Sequence, residues 1–409
     1  SEVRGNIYGA SVRFLPPISA LTGVAIFNNP LLFENVVFNS DVNRQVWIED
    51  VNVEIEGAEL KGSGHTHFIL DNRLVAGVSY LLRGNIVGLN TNNKPIFELQ
   101  DTAAAAASTF QFFTGLSLNR LKLRPVALSQ LVTGNTVHNL SMTDVEIDNP
   151  AVAANRVRFN SPGAVYNNVV VEQDALFDAQ VGQGRNASFV GGTIKGLSEA
   201  QGTPGSDTGL SFTGTTYKQP FRVLPATPAR DMVFTGAVFE GQQNAAGTTS
   251  IGTPFGQSQF NGNTEFRNLV DFDTNKITAD GVRFVNRISP SALMVVNFNA
   301  GTFNMAGLYF DPANQNIDVF ARANLITITD LEIRQRTNTV RFLVPDPGVA
   351  GHVLWVDGDI RNKRDLDFPD QASLGFNGAI NARVDSTVFS VGNRNIAGKV
   401  WPDYVQPVP

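Results

Sequence analysis

The chain has 409 residues, with 42% hydrophobic and 17% charged side chains, a formal net charge of −6 and no cysteine. This composition is too apolar for a disordered chain. Without cysteine there are no disulfides or thiolate metal sites, and the acidic balance argues against a surface that tracks nucleic-acid phosphates.

No apolar run reaches the roughly 18–20 residues of a membrane-spanning helix. The opening Ser1-Glu2-Val3-Arg4 is not a signal peptide; it reads as a Met-Ser start that has lost its Met, and a cleaved secretory precursor would start the same way.

From the N-terminus onward one pattern recurs about every 23–25 residues: apolar positions at 0, +2, +5 and +7, with a small or polar residue at +4. Its starts fall at 7, 31, 55, 80, 116, 140, 164, 187, 210, 232, 258, 277, 303, 326 and 353. The intervals are 19–27 residues, except for 36 between Tyr80 and Leu116. Leu116-Leu118-Leu121-Leu123 and Leu140-Met142-Val145-Ile147 are clear copies, and the copy at Val353 is Val353-Trp355-Gly358-Ile360.

Alternation at 0 and +2 describes a short strand with one buried face. The phase change before +5 requires a corner. The +4 residues include Asn35, Gly84, Asp144, Asn168, Gly191, Gly214, Gly236, Gly281 and Gly307, which tolerate left-handed backbone. Glu59 and Arg120 break that rule. Strand, corner, strand and a return make one coil of a stacked parallel solenoid. The fold class expected is therefore all-β, a single parallel β-helix of about 14–15 coils.

The segments Leu140-Ser-Met-Thr-Asp-Val-Glu-Ile147, Met232-Val-Phe-Thr-Gly-Ala-Val-Phe239 and Ile326-Thr-Ile-Thr-Asp-Leu-Glu-Ile333 carry a resemblance. Over residues 7–361 the chain resembles the pectin-lyase-like right-handed parallel β-helix superfamily, and within it phage tailspikes most. That resemblance implies right-handed coiling. It leaves activity open, because the superfamily spans polysaccharide lyases, glycoside hydrolases, epimerases, adhesins and tailspikes.

Three segments are expected. Residues 1–30 form an N-terminal coil and a lid or attachment segment, 31–361 the β-helix, and 362–409 a Pro-containing cap or oligomerisation segment. The Ala run in Asp101–Ser108 reads as a short helix or a lateral excursion, and 198–208 as an exposed loop.

Stacking turns the +8 position into a column: Asp148, Glu172, Lys195, Lys218 and Glu240. Glu172–Lys195 and Lys218–Glu240 then read as ion-pair rungs. Asp148 over Glu172 places two acids on neighbouring rungs, with Asp144, Glu146, Asp174 and Asp178 nearby. A carboxyl pair at ~5–5.5 Å suits a retaining glycosidase. The same cluster could hold calcium, and it also reads as a solvated acidic face.

Val46-Trp47-Ile48-Glu49-Asp50 resembles a pectate-lyase string without its His, and Gly64-His65-Thr66-His67 resembles the Gly-His-Gly of polygalacturonases without the acidic motifs that accompany it. His65 and His67 share a strand face, but no third metal ligand is apparent. Trp47, Tyr309 and Trp401 are the aromatic candidates for stacking on sugar rings.

The functional expectation is a virion or extracellular-surface spike. It would act as a homotrimer, recognise host surface polysaccharide and contact other proteins of its assembly, with no nucleic acid, membrane insertion, metal or other cofactor required. The start without a signal, the first coil without a capping helix, the short loops and the Pro-rich tail motivate it. The alternatives are a polysaccharide lyase or glycoside hydrolase using Asp148 and Glu172, and a purely structural capsid or extracellular component.

Overall fold

A computed structural model of the chain describes residues 2–389 apart from 9–11, 15–30, 40–42, 50, 65, 73–78, 90–93, 102–108, 126–136, 149–155, 181–183, 204–205, 225–226, 228, 244–256, 273–275, 299–301, 322–324, 335–339, 344–352, 364–373, 378–381 and 385–387. The fold is all-β, a solenoid of parallel strands, with no helix among the described residues. It divides into two compact units, Ser1–Leu197 and Ser198–Pro409.

In the first unit one ladder runs through Glu2–Tyr8, Leu31–Asn39, Val53–Lys61, Ser79–Gly88, Ser117–Asn119, Ser141–Thr143, Val165–Asn167 and Ser188–Val190. A second ladder runs through Val12–Phe14, Arg44–Glu49, Thr66–Asn72, Ile96–Asp101, Lys122–Arg124, Glu146–Ile147, Val170–Val171 and Thr193–Ile194. Val157–Phe159 and Ala175–Ala179 pair on a third side.

The columns follow the repeat. Leu118, Met142, Tyr166 and Phe189 stack in register, as do Leu123, Ile147, Val171 and Ile194, and all are buried. On four successive rungs the corner between the ladders is a left-handed residue: Arg120 (φ 57°), Asp144 (55°), Asn168 (53°) and Gly191 (64°). Each of the first three donates its N–H to the next rung, to Thr143, Asn167 and Val190 carbonyls at 2.9, 2.9 and 2.7 Å. The corner thus continues the ladder instead of leaving a buried polar group unpaired. Arg120 breaks the residue rule while keeping the backbone rule.

The pairing corrects the expected register in several places. Leu31 and Phe33 pair with Val53 and Ile55, so the third copy starts at Val53 and not at Ile55. Its +4 residue is then Gly57 (φ 72°), and the exception at Glu59 disappears. Ile7 pairs with Phe38, a +7 position, so the copy assigned to Ile7 begins about six residues earlier.

The 36-residue interval is a change of phase. Tyr80 and Leu82 pair with Phe110 and Phe112, whereas Ile86 pairs with Leu118. Before it the motif marks the corner column of Asn35, Gly57 and Gly84. After it the motif marks the next corner, and the old column continues as Gly115, Asn139, Gly163 and Asn186, all left-handed. The Ala run at 102–108 lies outside the described residues.

In the second unit the first ladder runs from Ser211–Thr213 through Arg230–Thr235, Gln257–Asn261, Lys276–Asp280, Thr302–Asp311, Leu325–Arg334 and Val353–Lys363 to Ala382–Val384. Ile326 pairs with Leu354, so the last copy starts at Leu354 and not at Val353, and Trp355 takes the position of Thr327. Pairing continues to Val388–Phe389, within the segment expected to be a cap. Residues 390–409 lie outside the described residues.

Stacking gives many of the described phenylalanines a buried place. Tyr217, Phe239, Phe266, Phe284 and Phe310 occupy one buried column, with successive ring centroids 4.9, 4.9, 5.5 and 5.0 Å apart and nearly parallel planes. Strand spacing of ~4.8 Å imposes that separation, and each such contact adds about 0.5–1.5 kcal/mol beyond its buried area.

Residues 198–202, expected in an exposed loop, form the strand Ser198–Gly202, paired with Phe221–Val223. Ser198, Glu199 and Ala200 are buried. The third side of the coil, carried here by a polar-looking stretch, is what closes the core.

Candidate functional site

Both ladders carry outward charges: on the first, Arg83 lies 3.1 Å from Glu54 and Lys61 2.5 Å from Glu59, and the candidate acids belong to a network on the second. That network includes His67, whose Nε2 lies 2.5 Å from Glu98 Oε2. Gln100 donates to the other Glu98 oxygen at 2.8 Å, and Arg124 stands 3.9 Å away. Burial pushes the Glu98 carboxyl up; the His67 and Gln100 hydrogen bonds and the His67 and Arg124 charges outweigh it, and the net shift is downward.

Arg124 is also 3.6 Å from Asp148. On the next rungs Lys195 Nζ donates to both oxygens of Glu172, at 2.6 and 2.8 Å. The hydrogen bond to Glu172 raises the Lys195 ammonium above its ordinary value. Lys122 pairs with Glu146 at 3.1 Å.

Asp148 and Glu172 do occupy successive rungs, with Asp148 and Glu172 N–H groups donating to Leu123 and Ile147 carbonyls. Each is tied to a cation on its far side. The other acids expected to join them are dispersed. Asp144 accepts from the Asn168 amide at 2.6 Å, Asp174 accepts the Leu197 N–H at 2.8 Å, and buried Asp178 is held by Arg158. Among the described residues no three His, Asp or Glu side chains gather into a metal-holding group.

The second unit has its own network. Lys218 reaches Glu240 at 2.5 Å, Arg267 bridges Glu240 at 2.7 Å and Glu265 at 2.5 Å, and Arg283 stands 3.8 Å from Glu265. Burial opposes ionisation of Glu240, but the Lys218 and Arg267 contacts prevail and lower its pKa. Arg283 lies over the Tyr309 ring, 4.4 Å from its centroid.

Of the aromatic candidates, Tyr309 is half-buried with one ring face covered by Arg283, and Trp47 is half-buried on Arg44–Glu49. Trp401 and His65 lie outside the described residues. The structure does not bring Trp47 to the Asp148–Glu172 rungs; its register partners are Arg13 and Ile69.

Two ion pairs on the third side escaped sequence reasoning: Arg158–Asp178 in the first unit, where only the aspartate is buried, and the buried pair Glu199–Arg222 in the second. Glu199 and Arg222 are direct register partners 23 residues apart, a spacing the main repeat already supplies.

No protein-family model, curated protein or solved structure matches this chain.

Proposed function

We propose that the chain is a virion or extracellular-surface spike of the pectin-lyase-like, tailspike kind, assembling as a homotrimer with other proteins of its surface and recognising host polysaccharide along its sides. The observation that carries this reading is the corner geometry. At Arg120, Asp144 and Asn168 one left-handed residue joins the ladders and bonds directly to the next rung. These corners leave no excursion from which a recessed pocket could be built. What is presented is an outward lattice of side chains at constant rung spacing of ~4.8 Å, a repeat that suits an extended polymer. Tyr309, stacked with Arg283, is the aromatic platform on that lattice.

The lyase or hydrolase alternative rests on Asp148 and Glu172. Lys195 on both Glu172 oxygens and Arg124 beside Asp148 favour a structural role for these acids over an acid–base pair. An array of bacterial capsular and O-antigen polysaccharides probed with the full chain tests the proposal. Binding to at least one polysaccharide is expected, weakened about tenfold or more in Tyr309→Ala, a loss in the range of aromatic hot spots. Binding to none contradicts it.

A further inference from the structure

Over the four rungs from Ser117–Asn119 to Ser188–Val190 the two outer faces of the first unit differ in character, whereas earlier rungs of the first ladder carry the Glu54–Arg83 and Glu59–Lys61 pairs. The second ladder presents Lys122, Arg124, Glu146, Asp148, Glu172 and Lys195. On the first ladder, the outward positions of the four strands from Ser117–Asn119 to Ser188–Val190 are Ser117, Asn119, Ser141, Thr143, Val165, Asn167, Ser188 and Val190. None is ionisable and none is long. Val165 and Val190 are 45% and 40% exposed, two of the four exposed large hydrophobic residues among the described residues.

Parallel sheets are ordinarily covered on both faces, and the outward side chains of these four strands are exposed or half-buried among the described residues. Short side chains in strict register make the face flat, so a second sheet can approach to the ~10 Å of ordinary sheet packing. The occupant follows from charge. Copies of a chain carrying −6 repel one another. The approach least opposed is through a face without charge, where no ion pair must be broken or desolvated. An uncharged face also needs no complementary pattern on its partner, so it accepts its own copy.

We propose that this face, centred on Val165 and Val190, is the contact between copies of the chain. The inference deepens the homo-oligomeric part of the proposed function and rests on it. Three rungs of the second unit repeat the composition, with Ser211, Thr213, Val233, Thr235, Gln259 and Asn261 at the same outward positions of its first ladder, and the exposed Asp280 ends the uncharged run on the next.

Sedimentation velocity of the full chain from about 1 to 100 µM, a range that brackets weak specific association, tests it. The wild type is expected to sediment as an oligomer. Val165→Lys with Val190→Lys is expected to shift the association midpoint at least about tenfold, a loss of about 1.4 kcal/mol; Thr193→Lys, on the charged face, is expected to leave it in place. The cysteine-free sequence allows a second measurement that does not depend on weakening the assembly. Val190→Cys is expected to join copies through a short bis-maleimide, and Thr193→Cys is not.

An oligomer unaffected by both lysines, with no joining through Val190→Cys, overturns the assigned face and leaves the oligomeric reading intact. A chain that remains monomeric at the highest concentration overturns both. Glycan binding by that monomer would leave polysaccharide recognition standing.

Discussion

Lys195 donates to both carboxylate oxygens of Glu172 across one rung of the solenoid, at 2.6 and 2.8 Å, from a side chain that is otherwise exposed. Removing such a pair costs little: Lys195→Ala is expected to lower stability by under ~1 kcal/mol. Lys195→Glu differs, because it places a third acid beside Asp148 and Glu172. Its thermal midpoint is expected to fall below that of Lys195→Ala at low salt, recover at high salt, and be restored by adding Glu172→Lys. A salt-independent midpoint would contradict the ladder reading.

Corner glycines divide into two kinds. At Gly115 (φ 80°) a Cβ would meet nothing within 4 Å, so Gly115→Ala carries only the left-handed penalty of roughly 1–2 kcal/mol. At Gly192 (φ 77°) a Cβ would fall on the Val169 carbonyl oxygen and 2.8 Å from its nitrogen. Since the obstacle is the neighbouring rung's backbone, Gly192→Ala is expected to be the more destabilising by about 2 kcal/mol or more in urea unfolding. Equal losses would contradict the close stacking at this corner.

Glu98 sets an acid limb of stability. Its folded-state pKa lies below its ordinary value, because the His67 and Gln100 hydrogen bonds and nearby charges overcome burial. A depressed carboxylate contributes stability that is fully present above the unfolded pKa of about 4.3 and is lost as pH falls through the lower folded value. The urea midpoint should therefore drop below about pH 4, and Glu98→Gln should flatten that drop while lowering the midpoint at neutral pH. An unchanged acid limb in Glu98→Gln would assign it to other carboxylates.

The buried pair Glu199–Arg222 behaves oppositely to the surface rungs. With side chains 7% and 10% exposed, loss of either partner strands a charge in the core. Arg222→Met alone is expected to cost about 3–5 kcal/mol, and Glu199→Leu with Arg222→Met to recover most of it. Additive losses in the double variant would show that the ion pair is not the unit of stability.

The repeat made the main columns and two of the ion-pair rungs legible, because period-two burial and a fixed interval place Lys195 over Glu172 and Glu240 over Lys218 without further information. It failed where the motif is degenerate. Val53-x-Ile55 and Ile55-x-Gly57 both satisfy part of it, and only pairing with Leu31 and Phe33 selects the former. Thr109–Phe112 was hidden by the phase change, since two left-handed corners per coil give the same local pattern. Arg120 shows that a corner is a backbone state, which stacking can impose on a residue that does not favour it. Ser198-Glu199-Ala200 reads as loop because two of its three buried positions are polar, and only the partner strand, bringing Arg222, makes that burial tolerable. The acidic cluster looked like a site because sequence shows the acids and their spacing, whereas Asn168, Arg158 and the Leu197 N–H that engage them become neighbours only on folding.

The register of the rungs underlies every one of these statements, and a disulfide test measures it directly. Thr143 and Asn167 are paired across adjacent strands, at a separation of ~4.8 Å that falls within the Cα range a disulfide spans. In the cysteine-free chain, Thr143→Cys with Asn167→Cys is expected to form an intramolecular disulfide under mild oxidation, identified by peptide mapping. Thr143→Cys with Val190→Cys, two rungs apart at roughly twice that distance, is expected to stay reduced within the chain. Closure of the second pair and not the first would contradict the stacked register.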